Sequence, residues 1–296
     1  MLRIVFFGTP SFVIPILKIL AENFTVIGVV TSSDALVGRK KILTPSPVKQ
    51  FALANQIPVF TLKSLEIRNL TLEIPDVDLF VVAAYGKLIP KEILNIPRLG
   101  AINIHPSLLP KYRGPSPIQT AILNGDKKTG ITFIKIDEQV DHGPILAQYK
   151  LPINPDDTSE ALHTKLFTTA ASFLTGIITD YYSNKLEQKS QNNARATFCD
   201  KVKKEDGYFD IDNPPPPEKL DRMIRAYFPW PAAWTRVHLG GGRMDSFEVK
   251  KNSEVKIVKF LPGKKLQIEG GKVMGYRDFI NGYPELKEKI DKLKIY

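Results

Sequence analysis

Asn103 and His105 stand two residues apart in "NIHPSLLPKYRGPSP" (103–117), directly after an apolar run. In a strand, residues two apart share a face, so both side chains can point into one crevice. Asn offers a fixed amide donor, and His can donate or carry a proton near neutral pH. A third candidate, Asp141, lies in "DEQVDHGPIL" (137–146), where His142-Gly143-Pro144 marks a turn. A carboxylate there could orient a His and take up a proton through water. Each residue also has a plain reading: a strand-end pair satisfied locally, and an ordinary turn former.

These residues need elements that hold them. "LRIVFFG" (2–8), "FTVIGVVT" (24–31), "IPVFT" (57–61), "VDLFVVAAYG" (77–86) and "GAINI" (100–104) read as buried strands. Helical patterns over about 11–22, 47–55 and 116–124 separate them, with Thr9 and Ser11 as capping hydroxyls for the first. "GITFIKI" (130–136) and "ILAQYKLPI" (145–153) complete the sheet, and a long helix over about 158–182 follows, with Thr158 as its N-cap. Apolar strands alternating with helices imply an α/β fold: a doubly wound, mostly parallel sheet covered on both faces. In such a sheet ligands bind beyond the carboxyl ends of the strands, where Asn103 and His105 fall.

The composition then changes. Residues 183–197 are polar and weakly periodic and read as a linker. Beyond them lie "NPPPP" (213–217), a helical stretch (218–227) and "PWPAAW". Short alternating segments with Gly turns follow: "TRVHL", "DSFEVK", "EVKIVKF" and "KLQIEG". They predict a small antiparallel, OB-like β-barrel. The expected division is a catalytic domain over 1–182, a linker over 183–200 and a barrel-like domain over 201–296.

The 296 residues carry a formal charge of +10, of which +7 lies in residues 185–296. A basic surface of that size favours polyanionic partners. The single cysteine, Cys199, cannot form an internal disulfide, which suits a reducing compartment. No run is long enough for a membrane span, and a cytoplasmic protein is expected. His142, His163 and His238 have no metal-ligand spacing with His105, so no metal is expected. "FFGTP" is not a dinucleotide fingerprint, and there is neither a P-loop nor a G-x-S-x-G elbow.

"FFGTPSFVIPIL", "LTPSPVK", "VVAAYGKLIP", "GAINIHPSLLPKYRGPSPIQTAILNGDKKTGIT", "DHGPIL" and "IRAYFPWPAAWT" occur in order along most of the chain. Together they resemble the methionyl-tRNA formyltransferase family. The Asn-x-His-x-Ser-Leu-Leu-Pro segment with a downstream Asp is shared by enzymes that use 10-formyltetrahydrofolate. "LTPSPVK" and the "PWPAAW" domain are the features that point to initiator tRNA.

The resemblance implies formyl transfer from 10-formyltetrahydrofolate to the amino group of methionyl-initiator tRNA, for translation initiation. An amine attacking the formyl carbon makes a tetrahedral oxyanion. Asn103 and His105 would donate to it, and Asp141 would hold the His and move a proton. The folate site implied is Ser107, Leu108, Leu109 and Pro110 on one side. Tyr85, Gly86, Leu88 and Val140, largely through backbone, form the other.

Arg39, Lys40 and Lys41 match the family's basic loop, which meets the tRNA acceptor stem. That loop is shortened here, with Ser32-Ser33-Asp34 where the family carries Gln-Pro-Asp. The residues around the basic triplet show neither helical nor strand period, and an exposed loop is expected. A monomer is expected. The competing readings are formylation of a nucleotide-linked amino sugar, formylation of glycinamide ribonucleotide, and an idle RNA-binding protein.

Overall fold

The computed structural model describes residues 1–38, 41–61, 76–239 and 254–295. Arg39, Lys40 and the segment "DSFEVK" (245–250) lie outside the described residues. The chain forms two compact units. The first comprises Met1–Pro117, Lys128–Pro152 and His163–Asp200; the second comprises Ile118–Lys127, Ile153–Leu162 and Lys201–Tyr296.

The first unit is built on strands β1 (Arg3–Gly8), β2 (Thr25–Thr31), β5 (Val59–Thr61), β6 (Leu79–Ala83), β7 (Ala101–His105), β8 (Lys128–Lys135) and β9 (Ile145–Pro152). A separate hairpin, β3 (Ala35–Val37) and β4 (Ile42–Thr44), lies between β2 and β5 in sequence. The sheet order is β5-β2-β1-β6-β7-β8-β9. Pairings from β5 through β7 are parallel, and those of β7 with β8 and β8 with β9 are antiparallel. The chain runs outward from β1 to β5 and then returns to β6 beside β1. That reversal creates the crevice in which α/β sheets bind ligands.

The central strands β1 and β6 are apolar on both faces, as burial on both sides requires, whereas the edge strand β9 alternates with exposed positions. Every residue of β6 is buried. Val5, Phe7, Val30, Phe80, Val82 and Tyr85 gather in one core cluster. The helices Ile14–Asn23, Pro47–Ala54 and Ser159–Tyr182 follow the expected positions. Ser46 caps the second through its hydroxyl, which accepts from Lys49 N at 3.1 Å, with Pro47 in the first turn. Thr158 caps the long helix by accepting from Ala161 N at 3.1 Å. The first helix differs from expectation. No hydroxyl caps it; a 3-10 turn over Ser11–Val13 leads in, and Pro15 removes one of the donors a cap would have satisfied.

The hairpin β3–β4 replaces the aperiodic loop expected around residue 38. Its strands have three residues each, too few for a period to show, and Gly38 turns between them at φ 73°. Residues 183–200, expected as a linker, are part of the first unit. Lys189 pairs with Ile145 through both backbone bonds, and Cys199 N donates to Arg113 O at 2.8 Å.

The second unit carries an antiparallel sheet, β10 (Ala233–Leu239), β11 (Glu254–Leu261), β12 (Lys265–Ile268) and β13 (Val273–Gly275), consistent with a small barrel. The helix Pro217–Ala226 buries Leu220, Met223 and Ile224 on one side and turns Glu218 and Asp221 outward. Two further helices, Tyr276–Gly282 and Lys287–Asp291, contribute Phe279 and Ile290 to the same core.

Candidate active site

Strand β7 ends on Asn103 and His105, at the carboxyl side of the sheet. Asp141 lies in the connection from β8 to β9, and its side chain reaches both residues. Asn103 Nδ2 donates to Asp141 Oδ1 at 3.1 Å. His105 Nδ1 lies 3.4 Å from Asp141 Oδ2. Gly114 N donates to the same Oδ2 at 2.8 Å. The three sequence-predicted residues, 38 positions apart at the extremes, therefore converge on one carboxylate, which Asn103 hydrogen-bonds and the His105 ring faces.

The imidazole is buried and held through Nε2, with Nδ1 facing the Asp141 carboxylate. Its side chain is 4% exposed, and Nε2 donates to the Tyr112 carbonyl at 2.9 Å, since a carbonyl can only accept. The Asn103 amide uses one N–H on Asp141 and has a second beyond that bond.

Backbone shape makes the approach of Gly114 possible. Gly114 has φ 114°, and a Cβ on it would lie 2.4 Å from Cys199 O. Asp141 itself adopts φ 49°, left-handed for a residue with a side chain, so surrounding contacts must hold it there. Gly143 shows why that loop sits so close to the sheet: a Cβ there would meet Lys135 O at 1.8 Å.

The turn after β7 carries Ser107, Leu108, Leu109 and Pro110. Ser107 and Leu109 are buried, and Ser107 Oγ donates to Lys111 O at 2.6 Å. Thr132, on β8, holds this turn from beneath. Its hydroxyl donates to Ser107 O at 2.6 Å and accepts from Leu109 N and from Gln148 Nε2, at 3.2 and 2.9 Å. All the hydrogen-bonding capacity of that hydroxyl is used. Gln148 Nε2 also donates to Leu109 O at 3.0 Å. Leu108 packs over Gly130, where a side chain would collide with it.

On β6's side, Tyr85 turns its ring into the core, edge-on to Phe7 at 5.5 Å. Its buried hydroxyl finds no partner among the described residues, and burial pushes its pKa up to about 12. The Tyr85 side chain is thus turned into the core, and its carbonyl accepts from Thr9 Oγ1 at 3.4 Å. Gly86 has φ 79° and open space where a Cβ would stand. Leu88 and Val140 are 81% and 52% exposed. Of the basic triplet, Lys41 is exposed at φ 48°, whereas Arg39 and Lys40 lie outside the described residues. Among the described residues, no group of three or more His, Cys, Asp or Glu could hold a metal ion, and no helix is long and apolar enough to cross a membrane.

Sequence reasoning missed Gly114, which binds the Asp141 carboxylate, and Thr132 and Gln148, which hold the turn after β7. The Arg-Gly of "KYRGPSP" was a visible signal. Thr132, a polar residue buried in the middle of β8, was another.

Residues 2–178 match the Formyl transferase family. Methionyl-tRNA formyltransferase of Roseiflexus castenholzii is 44% identical over 238 residues, 79% of this chain and 75% of that protein. Among solved structures, the fold resembles a 4-N formyltransferase from Francisella tularensis, with a TM-score of 0.61, 20% identity and coverage of 86% and 95%. It also resembles the methionyl-tRNA formyltransferase from Clostridium thermocellum, with a TM-score of 0.54, 19% identity and coverage of 88% and 100%. The two structural likenesses speak to fold. The chain belongs to the methionyl-tRNA formyltransferase family.

Proposed function

We propose that this protein formylates the amino group of methionyl-initiator tRNA, taking the formyl group from 10-formyltetrahydrofolate. The observation that carries the chemistry is the convergence of Asn103, His105 and Asp141 at the end of β7. The acceptor rests on the relatives of that name, which align with 79% of the chain.

Asn103 is the first donor to the developing oxyanion, through the N–H that Asp141 leaves unused. Such a donor is typically worth about 10²–10³ in rate. His105 joins it by exchanging the Tyr112 carbonyl for the reacting oxygen at Nε2, a rearrangement that free enzymes commonly leave to the substrate complex. Asp141 holds Asn103 and faces His105; it takes the proton that the attacking amine sheds and passes it to N10 of the folate as the C–N10 bond breaks, releasing tetrahydrofolate. The folate is held by backbone at Tyr85 and Gly86, by the apolar faces of Leu88 and Val140, and by the turn Ser107–Pro110. A flat, partly apolar ring edged with hydrogen-bonding groups suits an open glycine beside exposed aliphatic side chains. Arg39, Lys40 and Lys41 meet the acceptor stem, and the monomer acts alone.

The test is direct. The protein is incubated with 10-formyltetrahydrofolate and initiator or elongator Met-tRNA, with a nucleotide-linked amino sugar as the competing acceptor. Formyl-methionine on the initiator tRNA is the expected product. Formyl transfer to the sugar alone would reject the acceptor while leaving the chemistry intact.

A further inference from the structure

Asp141 holds a strained backbone conformation, and nothing in its own loop accounts for it. The carboxylate is anchored by Asn103 and Gly114, yet those bonds do not fix the peptide planes on either side. Those planes are fixed from elsewhere. Gln191 Nε2 donates to Asp141 O at 2.9 Å and to Gly143 O at 2.8 Å. Gln191 Oε1 in turn accepts from Arg113 Nε and Nη2, at 3.1 and 2.8 Å.

Chemistry settles the orientation of this amide. A guanidinium only donates and a carbonyl only accepts, so Oε1 must face Arg113 and Nε2 must face the loop. The same guanidinium sets a second amide. Arg113 Nη2 donates to Asn193 Oδ1 at 2.7 Å, which leaves Asn193 Nδ2 to donate to His142 Nε2 at 3.1 Å. His142 Nδ1 then donates to Asp137 Oδ2 at 2.6 Å. Arg113 is 4% exposed and directs two amides at one loop. The residue after it, Gly114, binds the Asp141 carboxylate through its backbone. The loop is gripped at its start, at Asp141 and at Gly143.

We propose that Arg113 and Gln191 are positioning residues for formyl transfer, acting through Asp141. On this reading the segment 183–200 is part of the catalytic apparatus, since it supplies the amide that holds the loop. The proposal rests on the assignment of Asp141 as the proton acceptor.

Gln191→Glu separates positioning from stability. An ionised Glu keeps, and strengthens, the contact with Arg113, but it cannot donate to the two carbonyls. Gln191→Met removes all four bonds at similar volume and without charge. Gln191 is half-buried, so both variants should fold. Single-turnover formylation should fall about tenfold or more in both, with KM for donor and Met-tRNA within about twofold of wild type. Gln191→Glu, which keeps the Arg113 contact, should retain more of its thermal midpoint than Gln191→Met while losing as much rate, a combination that a merely structural role would not give. In an Asp141→Asn background, Gln191→Glu should slow the residual reaction by less than about twofold, because the group it positions is already lost. Wild-type rate in Gln191→Glu with a slow Asp141→Asn would overturn the proposal alone. Wild-type rate in Asp141→Asn would overturn the assignment on which it rests.

Discussion

The loop 137–143 and the hairpin Ala35–Thr44 both join strands of the first unit at its surface, and they are held in opposite ways. The first is braced on every side. Asn103 and Gly114 hold its carboxylate, Gln191 holds two of its carbonyls, and Asn193 holds its histidine. Among the described residues, the hairpin is tied at its base, where Lys49 pairs with Asp34 at 2.7 Å and Ser46 bonds Thr31 at 2.8 Å. Its strands project Leu36, Ile42 and Leu43, each more than 60% exposed. A group that must meet one reacting atom needs its position fixed to fractions of an ångström. A surface that meets a large, adaptable partner needs only to present side chains.

That contrast gives a ranked set of outcomes. The largest effect belongs to Asp141→Asn, which keeps the shape of the side chain but not its capacity to accept a proton. Formyl transfer should fall by about 10²-fold or more. The thermal midpoint should fall only modestly, because the amide loses one of the two bonds that the carboxylate accepts from Asn103 and Gly114. A rate near wild type would make Asp141 a turn former.

The hairpin should respond differently. The paired change Leu36→Ser with Ile42→Ser, and separately Arg39→Ala, should leave hydrolysis of the formyl donor by water unchanged. Both should lower transfer to Met-tRNA several-fold. Steady-state kinetics with tRNA varied at saturating donor would show it. An equal loss in donor hydrolysis and in transfer would mean that the hairpin supports the fold rather than the acceptor.

Tyr85→Phe should have the smallest effect. Its buried hydroxyl has no partner among the described residues, and desolvating an unpaired polar group costs about 1–3 kcal/mol. Removing it should leave turnover intact and raise stability by about 1 kcal/mol in chemical denaturation. Reduced folate affinity would instead place that hydroxyl in the binding site.

The same contrast explains what the sequence could reveal. β6 is legible because five consecutive buried residues leave a continuous apolar run. Asn103 and His105 are legible because two polar residues at a strand end contradict that pattern. Gln191 is not, because an amide bonding to carbonyls 48 and 50 positions away leaves no periodicity in its own neighbourhood. Its polar surroundings read as a linker for the same reason. The hairpin is hidden by its three-residue strands. The helices at Tyr276–Gly282 and Lys287–Asp291 are too short to show a full amphipathic repeat.

The role proposed for the cluster at the end of β7 is to stabilise charge that appears only after attack. Asn103→Ala tests it most directly, with single-turnover formylation and folate binding measured on the same preparation. The expected result is a rate lower by about 10²-fold or more with donor affinity within about twofold of wild type. A near wild-type rate, or a loss of rate explained wholly by weaker folate binding, would contradict it.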